Sequence, residues 1–277
     1  MSKIAVIGIA GESVFLSVDG FGLTGETTVA NGFHSELGGK GFNQAVAAAR
    51  YGAEVSFLCA CYQKDEETFT RIAKNVGVNA RFIGKQTRSP YAVIETDKSG
   101  DNRVLVYRGA ELSEADVDLF ADEIKSADIL LLNNEVPVAV NRRAVDIAKN
   151  SGVKVILNPA PARGYDEEFL KKIDLFTPNE HETAGLENYQ NVVVTIGDKG
   201  CFIKYLGRAI PAVNVKNVVD TTGAGDTFNG VLAACIADGV GIEAACEKAN
   251  IAAAIKVGRK YILDSIPFKK EIEAYKE

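Results

Sequence analysis

The sequence has no tryptophan, one methionine and two histidines, His34 and His181, among 277 residues. So few histidines leave His-rich metal sites and histidine-based catalytic triads poorly supported. Proline is scarce, at 7, and with 47% hydrophobic and 25% charged residues the composition speaks against disorder. The cysteines, Cys59, Cys61, Cys201, Cys235 and Cys246, form neither a C-x-x-C pair nor an even disulfide framework. Most sit in apolar runs and read as reduced core thiols. No run approaches the roughly 18 apolar residues of a membrane span. The opening residues MSKIAVIGIAGE enter a strand-like segment without the cationic start of a signal peptide. A cytoplasmic protein with no membrane partner is expected. An excess of positive charge is missing too. The net charge of −6 argues against nucleic acid as a partner and favours a small molecule.

What is present is rhythm. Short β-branched runs recur at Ile4 to Ala10, Val55 to Cys61, Ile129 to Asn133, Val153 to Asn158, Asp174 to Thr177 and Val192 to Ile196. Helix-period stretches lie between most of them: Asn43 to Tyr51, Asp65 to Val76, Ser113 to Ser126 and Asn141 to Asn150. Apolar strands alternating with helices predict an α/β fold, a doubly wound, mainly parallel sheet with helices on both faces. The last third is helical, in TFNGVLAACIADG and GIEAACEKANIAAAIKVG. Two regions break the pattern. Residues 12–36 are rich in Gly, Thr and Val, and residues 90–108 carry two short runs around DKSGDN, a hairpin turn. These predict a few antiparallel strands forming a small lid on a single domain spanning 1–277.

Chemistry concentrates in two glycine-rich stretches. In DTTGAGDTFNG, residues 220–230, glycines free backbone N–H groups to turn inward where a helix from Thr227 presents its positive dipole end. An anion should bind there. Asp226 could be a plain N-cap of that helix. A cap needs no flanking glycines, however, whereas a phosphoryl group passing backbone amides does, with a carboxylate beside it to accept a hydroxyl proton. The second stretch, ELGGKGFNQAVAAARYG, reads either as a turn with Asn43 as helix cap or as a polyol site built of amides. Common nucleotide motifs are missing: Lys40 precedes Gly41, so no G-x-x-x-x-G-K-[ST] occurs, and GIAGES lacks the G-x-G-x-x-G spacing. A P-loop NTPase and a nicotinamide-dependent enzyme are both disfavoured.

The order of GGKGFNQA, NNEVP, LNPAPA, TPNEHE, TIGDKG, DTTGAGDTFNG and ANIAAAIKVGRK resembles the ribokinase-like carbohydrate kinase family over essentially the whole chain. The resemblance implies an ATP-dependent kinase that transfers the γ-phosphoryl group to a sugar hydroxyl. It implies Asp226 as base and Gly223, Ala224 and Gly225 as anion hole. Gly39, Lys40, Gly41, Asn43 and Glu135 would hold sugar hydroxyls. Asn179 and Glu182 would order Mg²⁺ through water, as suits a cation carried largely by substrate phosphates. Thr195, Gly197, Asp198 and Gly200 would lie along the nucleotide, with Asn250 near adenine. Activation by a monovalent cation such as K⁺ would involve Asp220 and the Thr222 carbonyl.

Three departures accompany the resemblance. Where the family places an Asn and an Asp after the first strand to grip the sugar, this chain has Gly11 and Ser13, with Glu12 between them. A one-residue shift would bring Glu12 in, since neighbouring strand residues face opposite ways. The missing acid leaves the sugar open and makes a nucleoside or other ribosyl compound the alternative substrate. A sugar-binding regulatory protein without catalysis is the alternative of another class, and an oxidoreductase a distant third. No helix is expected between Gly185 and Asn191, and Tyr261 stands where a Gly is typical of the cation site. Flap strands leave an open edge, so a homodimer through the lid is expected.

Overall fold

A computed structural model describes residues 1–275 of the chain; the last two residues of the 1–277 span lie outside that description. In chain order the elements begin with β1 (Lys3–Ile7), β2 (Gly11–Ser17), β3 (Gly32–Gly38), α1 (Lys40–Tyr51), β4 (Glu54–Tyr62), α2 (Glu66–Asn75) and β5 (Asn79–Lys85). Then come β6 (Tyr91–Thr96), β7 (Asn102–Tyr107), α3 (Glu114–Asp118), α4 (Ala121–Lys125), β8 (Ile129–Asn133), α5 (Val138–Asn150) and β9 (Lys154–Asn158). The rest are α6 (Glu167–Leu170), β10 (Leu175–Phe176), β11 (Val193–Thr195), β12 (Cys201–Ile203), β13 (Arg208–Ile210), α7 (Ala224–Ala237), α8 (Ile242–Val257) and α9 (Lys269–Glu273).

Six strands form a parallel sheet in the order β10-β9-β8-β1-β4-β5. An isolated parallel bridge, Phe176 to Val192, carries it on toward the antiparallel β11-β12-β13. Successive side chains of a strand face opposite ways, so each inner strand feeds two cores. Ile4, Val6, Phe57 and Leu131 pack with α1, α7 and α8 on one side; Ala5, Ile7, Leu58 and Leu130 pack with α5 on the other. Each such fully buried aliphatic or aromatic side chain contributes about 1.5–3 kcal/mol.

The lid is a second sheet, ordered β3-β2-β6-β7. Its hairpins β2–β3 and β6–β7 are antiparallel, but β2 pairs parallel with β6, against the all-antiparallel expectation. The chain between them passes through α1, β4, α2 and β5, and so long a crossover returns the strand in the same direction. Three further expectations shift. The first strand stops at Ile7, where its pairing with β4 and β8 ends, instead of running to Ala10, and Gly8 then passes so close to α1 that a Cβ would meet the Gly41 Cα at 2.6 Å. Residues 113–126 form two short helices, not one, with Leu119 and Phe120 between them. Between Gly185 and Asn191 there is no helix, as expected.

Candidate active site

Helices α1 and α7 bring the two glycine-rich stretches together. They approach so closely that a Cβ on Gly230 would lie 2.3 Å from the Gln44 carbonyl oxygen and 2.6 Å from the Ala47 Cβ. The N-cap of α7 is Gly223, in the left-handed region at φ 77, and the helix opens at Ala224, three residues before the expected Thr227. Asp226 is therefore no cap. It lies in the first turn, buried, and makes no capping bond. Its carboxylate turns instead toward α1: Asn43 Nδ2 donates to Oδ2 at 2.9 Å and Gln44 Nε2 to Oδ1 at 3.3 Å. Among the described residues, the N–H groups of Gly225 and Asp226 find no backbone carbonyl, while that of Ala224 is shared with Thr221. Free donors at a positive helix end, next to a carboxylate, make an anion-binding corner.

Asn43 is likewise not a cap, since α1 starts at Lys40 and its N-cap is Gly39, at φ 112. A Cβ there would sit 2.6 Å from the Ile9 carbonyl oxygen, so this tight entry admits only glycine. It aims the first amides of α1 at Glu135, whose Oε2 accepts the Lys40 backbone N–H at 2.9 Å. Glu135 follows β8 and is steadied by Asn133 Oδ1, which accepts its backbone N–H at 3.0 Å. Burial, and then the Asp226 charge, push the Glu135 carboxyl up to about 7 against the pull of Lys40. The Lys40 ammonium is raised above its ordinary value, first by Asp226, then by Glu135 and Glu182, against burial. Lys40 thus sits in the field of three carboxylates.

The residues expected along the nucleotide lie at the strand ends beyond. Asn179 pairs as an isolated bridge with Thr195, whose N–H donates to the Pro178 carbonyl at 2.9 Å. Glu182 folds back, Oε2 accepting the Asn179 N–H at 3.0 Å. Gly197 and Asp198 form an exposed turn, and Gly200 at φ 93 passes so close to Ile210 that a Cβ would meet its carbonyl oxygen at 2.2 Å. Asn250 on α8 is buried and spends its amide on the carbonyls of Ile210 (3.2 Å) and Pro211 (3.0 Å). It holds the wall of this side.

With this geometry stands a match to the family model described as pfkB family carbohydrate kinase, over residues 1–269. The chain belongs to the pfkB family of carbohydrate kinases. It is 35% identical to the ribokinase of Haemophilus influenzae, over 97% of this chain and 96% of that one. It is 32% identical to the deoxyribokinase of Salmonella typhimurium, over 98% of each. The structure of Arabidopsis thaliana ribokinase complexed with ribose and ATP superposes with a TM-score of 0.84 at 26% identity, covering 99% of this chain and 98% of that one. The pfkB kinase described here is an ATP-dependent sugar kinase of the ribokinase type.

Not every predicted residue of this pfkB kinase joins the cleft. On β2, Gly11 and Ser13 are buried, and a Cβ on Gly11 would meet the Pro90 carbonyl oxygen at 2.0 Å. Glu12 alternates away. It lines a separate cavity of about 650 Å³ between the lid and α2, with Asp65, Thr68 and Arg88. The register holds, so no one-residue shift brings Glu12 to Asp226. Asp220 and Thr222 stand behind the start of α7, where Asp220 Oδ1 accepts the Thr222 N–H at 2.9 Å and Oδ2 the Tyr261 N–H at 3.1 Å.

Sequence reasoning missed the support of Asp226. Gln44 Nε2 also donates to Asn158 Oδ1 at 3.1 Å, and Asn158 Nδ2 donates to the Thr177 carbonyl at 2.7 Å. The Thr177 hydroxyl bonds Asn229 Oδ1, and Asn229 Nδ2 donates to the Gly225 carbonyl at 2.8 Å. This closed loop of buried amides links α1, β9, the end of β10 and α7. The signal was there to read: Gln44, Asn158 and Asn229 are amides inside otherwise apolar or helical runs.

Proposed function

We propose that this kinase phosphorylates a free pentose of the ribose and deoxyribose class, with Asp226 accepting the proton of the attacking hydroxyl. The observation that carries the reading is the buried Asp226 carboxylate, pinned by Asn43 and Gln44 beside the unpartnered amides of α7. The amides and the helix dipole receive the negative charge that gathers on the transferred group, and two hydrogen bonds fix the base along the line of attack. A loose phosphoryl-transfer transition state asks for positioning and charge stabilisation more than for a strong base. Gly39, Lys40, Gly41, Asn43 and Glu135 bind the sugar, and Gly11 and Ser13 close its far side. Thr195, Gly197, Asp198 and Gly200 run along ATP, and Asn250 shapes the adenine wall.

Mg²⁺ fits this donor set. Among the described residues no three His, Cys, Asp or Glu side chains form a metal cage. Glu182 and Asn179 at the phosphate side suit a cation that keeps its waters and arrives with the nucleotide. Bound there, it neutralises phosphate charge. The Lys40 ammonium, already held by Asp226, Glu135 and Glu182, adds a positive charge in the same cleft.

The chain works as one unit, residues 1–277, with the lid covering the sugar and excluding water. The lid also supplies a dimer surface: on the edge strand β7, Val104, Leu105, Val106 and Tyr107 are all exposed. Two copies pairing there cover apolar surface and an open edge at once. Five buried free cysteines suit the reducing cytoplasm, and among the described residues no helix is long and apolar enough to cross a membrane.

A second reading rests on Ser13. A short side chain where an acid would grip the sugar leaves space for a ring substituent, which favours a nucleoside. A panel of pentoses, hexoses and nucleosides with coupled ADP detection decides. Turnover highest on a pentose supports the proposal, turnover highest on a nucleoside replaces it, and tight sugar binding without ADP release leaves only a regulatory role.

A further inference from the structure

The residues around Asp220 do not fit a bound monovalent cation. A dehydrated K⁺ needs a shell of oxygens that replaces its water. Asp220 already uses Oδ1 on Thr222 and Oδ2 on Tyr261. The loop after α8 faces Asp220, and several of its carbonyls already accept hydrogen bonds. The Ser265 hydroxyl lies 2.8 Å from the Tyr261 carbonyl and 2.7 Å from that of Ile262 and shares its one hydrogen between them, the Ile262 carbonyl also accepts the Ser265 N–H at 3.0 Å, and those of Leu263 and Ile266 accept the Arg50 guanidinium. The Ser265 carbonyl accepts Arg259 at 3.4 Å.

A positive charge is nevertheless present. Lys256, on the last turn of α8, is 0% exposed. Its Nζ donates to the Asp220 carbonyl at 2.7 Å and lies 3.8 Å from Asp220 Oδ2. A lysine is almost never so buried unless an anion compensates it. Burial holds the Lys256 ammonium below the ordinary lysine value, against the pull of Asp220 and then of Glu36 and Asp226 through space. Glu36 is tied to the same loop, its carboxylate accepting the N–H groups of Ile262 (2.8 Å) and Leu263 (2.9 Å). Tyr261 completes the departure. Among the described residues it is the one non-glycine with positive φ, at 64°, and its ring stacks on His34 at 3.6 Å.

We propose that the Lys256 ammonium is this kinase's built-in monovalent cation, a tethered positive charge that holds Asp220 and the loop entering α7. Lys256 is fully buried and bonds Asp220, so it is a positioning residue for the anion corner. The kinase then needs no added K⁺. This rests on the kinase reading above, and the test separates the two.

Steady-state turnover is measured in equal concentrations of KCl and tetramethylammonium chloride, alongside melting temperature without substrates. For the natural chain, kcat should differ by less than about twofold between the salts and the melting temperature should not move. Lys256→Ala leaves a space and an unpaired Asp220. Its kcat should fall by about tenfold or more in tetramethylammonium and recover by at least about fivefold in K⁺, with a K⁺-dependent rise in melting temperature. Lys256→Met fills the space without charge, so its kcat should stay low in both salts. Packing alone would be served by Met and indifferent to K⁺. Activation of the natural chain by K⁺ beyond about fivefold overturns the proposal. So does a Lys256→Met enzyme with natural turnover, or a folded Lys256→Ala enzyme that K⁺ does not rescue. If neither variant folds, the natural chain's response decides. Absence of ADP release in every salt counts against the kinase reading instead, and the melting data still test Lys256.

Discussion

The junction of α1 with α7 and the β lid are built on opposite rules. At the junction, Asn43, Gln44, Asp226 and Asn229 are buried; the first three bond across the helix contact, and Asn229 bonds Thr177 and the Gly225 carbonyl. In the lid, β7 is exposed along its whole length. The lid's hold on the body is local: Glu36 reaches the loop after α8, and Phe15 and His34 pack on Tyr261. Moving the junction would break several buried hydrogen bonds at once, whereas the lid has few such ties to the body. The difference fits the roles proposed above, catalytic precision at the junction and access and assembly at the lid.

Breaking the junction should cost most. Gln44→Leu leaves Asp226 and Asn158 each short of a partner in a dry site. It should lower kcat by about tenfold or more and stability by about 1–3 kcal/mol, read from steady-state kinetics and denaturant melts. A lid that shared the junction's role would show losses as large from its own edge.

The next effect sharpens the boundary between the two regions, at Glu135. Burial favours its neutral form, raising the carboxyl from 4.5 to about 7. A raised folded value means that its stabilising contribution is complete below about 4.5 and is lost as pH rises through about 7. Glu135 is partly open to solvent, so the loss is on the order of 1 kcal/mol. The natural chain should therefore lose more melting temperature between mildly acidic and mildly basic pH than Glu135→Gln, which stays neutral throughout. Parallel curves for the two proteins would remove Glu135 from this role.

The smallest change belongs to the lid. Leu105, 73% exposed, faces outward on β7. Leu105→Lys should turn dimers into monomers in light scattering while folding stability moves by no more than about 0.5 kcal/mol. A natural chain that is already monomeric would contradict the lid's assembly role.

The two regions also differed in how legible they were. The strands of the main sheet announce themselves because burial on both faces demands unbroken apolar runs, and Ile129–Asn133 is found where expected. Edge strands lack that demand: in β5 only Phe82 is buried, and the three-residue strands β12 and β13 are too short to show a period. The anion corner could be read from glycine spacing, since a backbone approach needs a missing side chain. Its supports stood out only as lone amides in apolar or helical runs, without any sign of what they bond. Gln44 and Asp226 are 182 positions apart, and nothing local in either neighbourhood names the other. Lys256 stands in the small apolar run AAAIKV, a lone charge whose partner, Asp220, becomes visible only when α8 is folded against the loop before α7.

The most direct test of the account is Asp226→Asn, with turnover and sugar affinity measured on the same preparation. Asparagine keeps the shape and can still meet Asn43 or Gln44, but it cannot take a proton. The account predicts that kcat falls by about 10²–10⁴-fold while sugar Kd, by calorimetry, changes by less than about threefold. Turnover near that of the natural chain would contradict it.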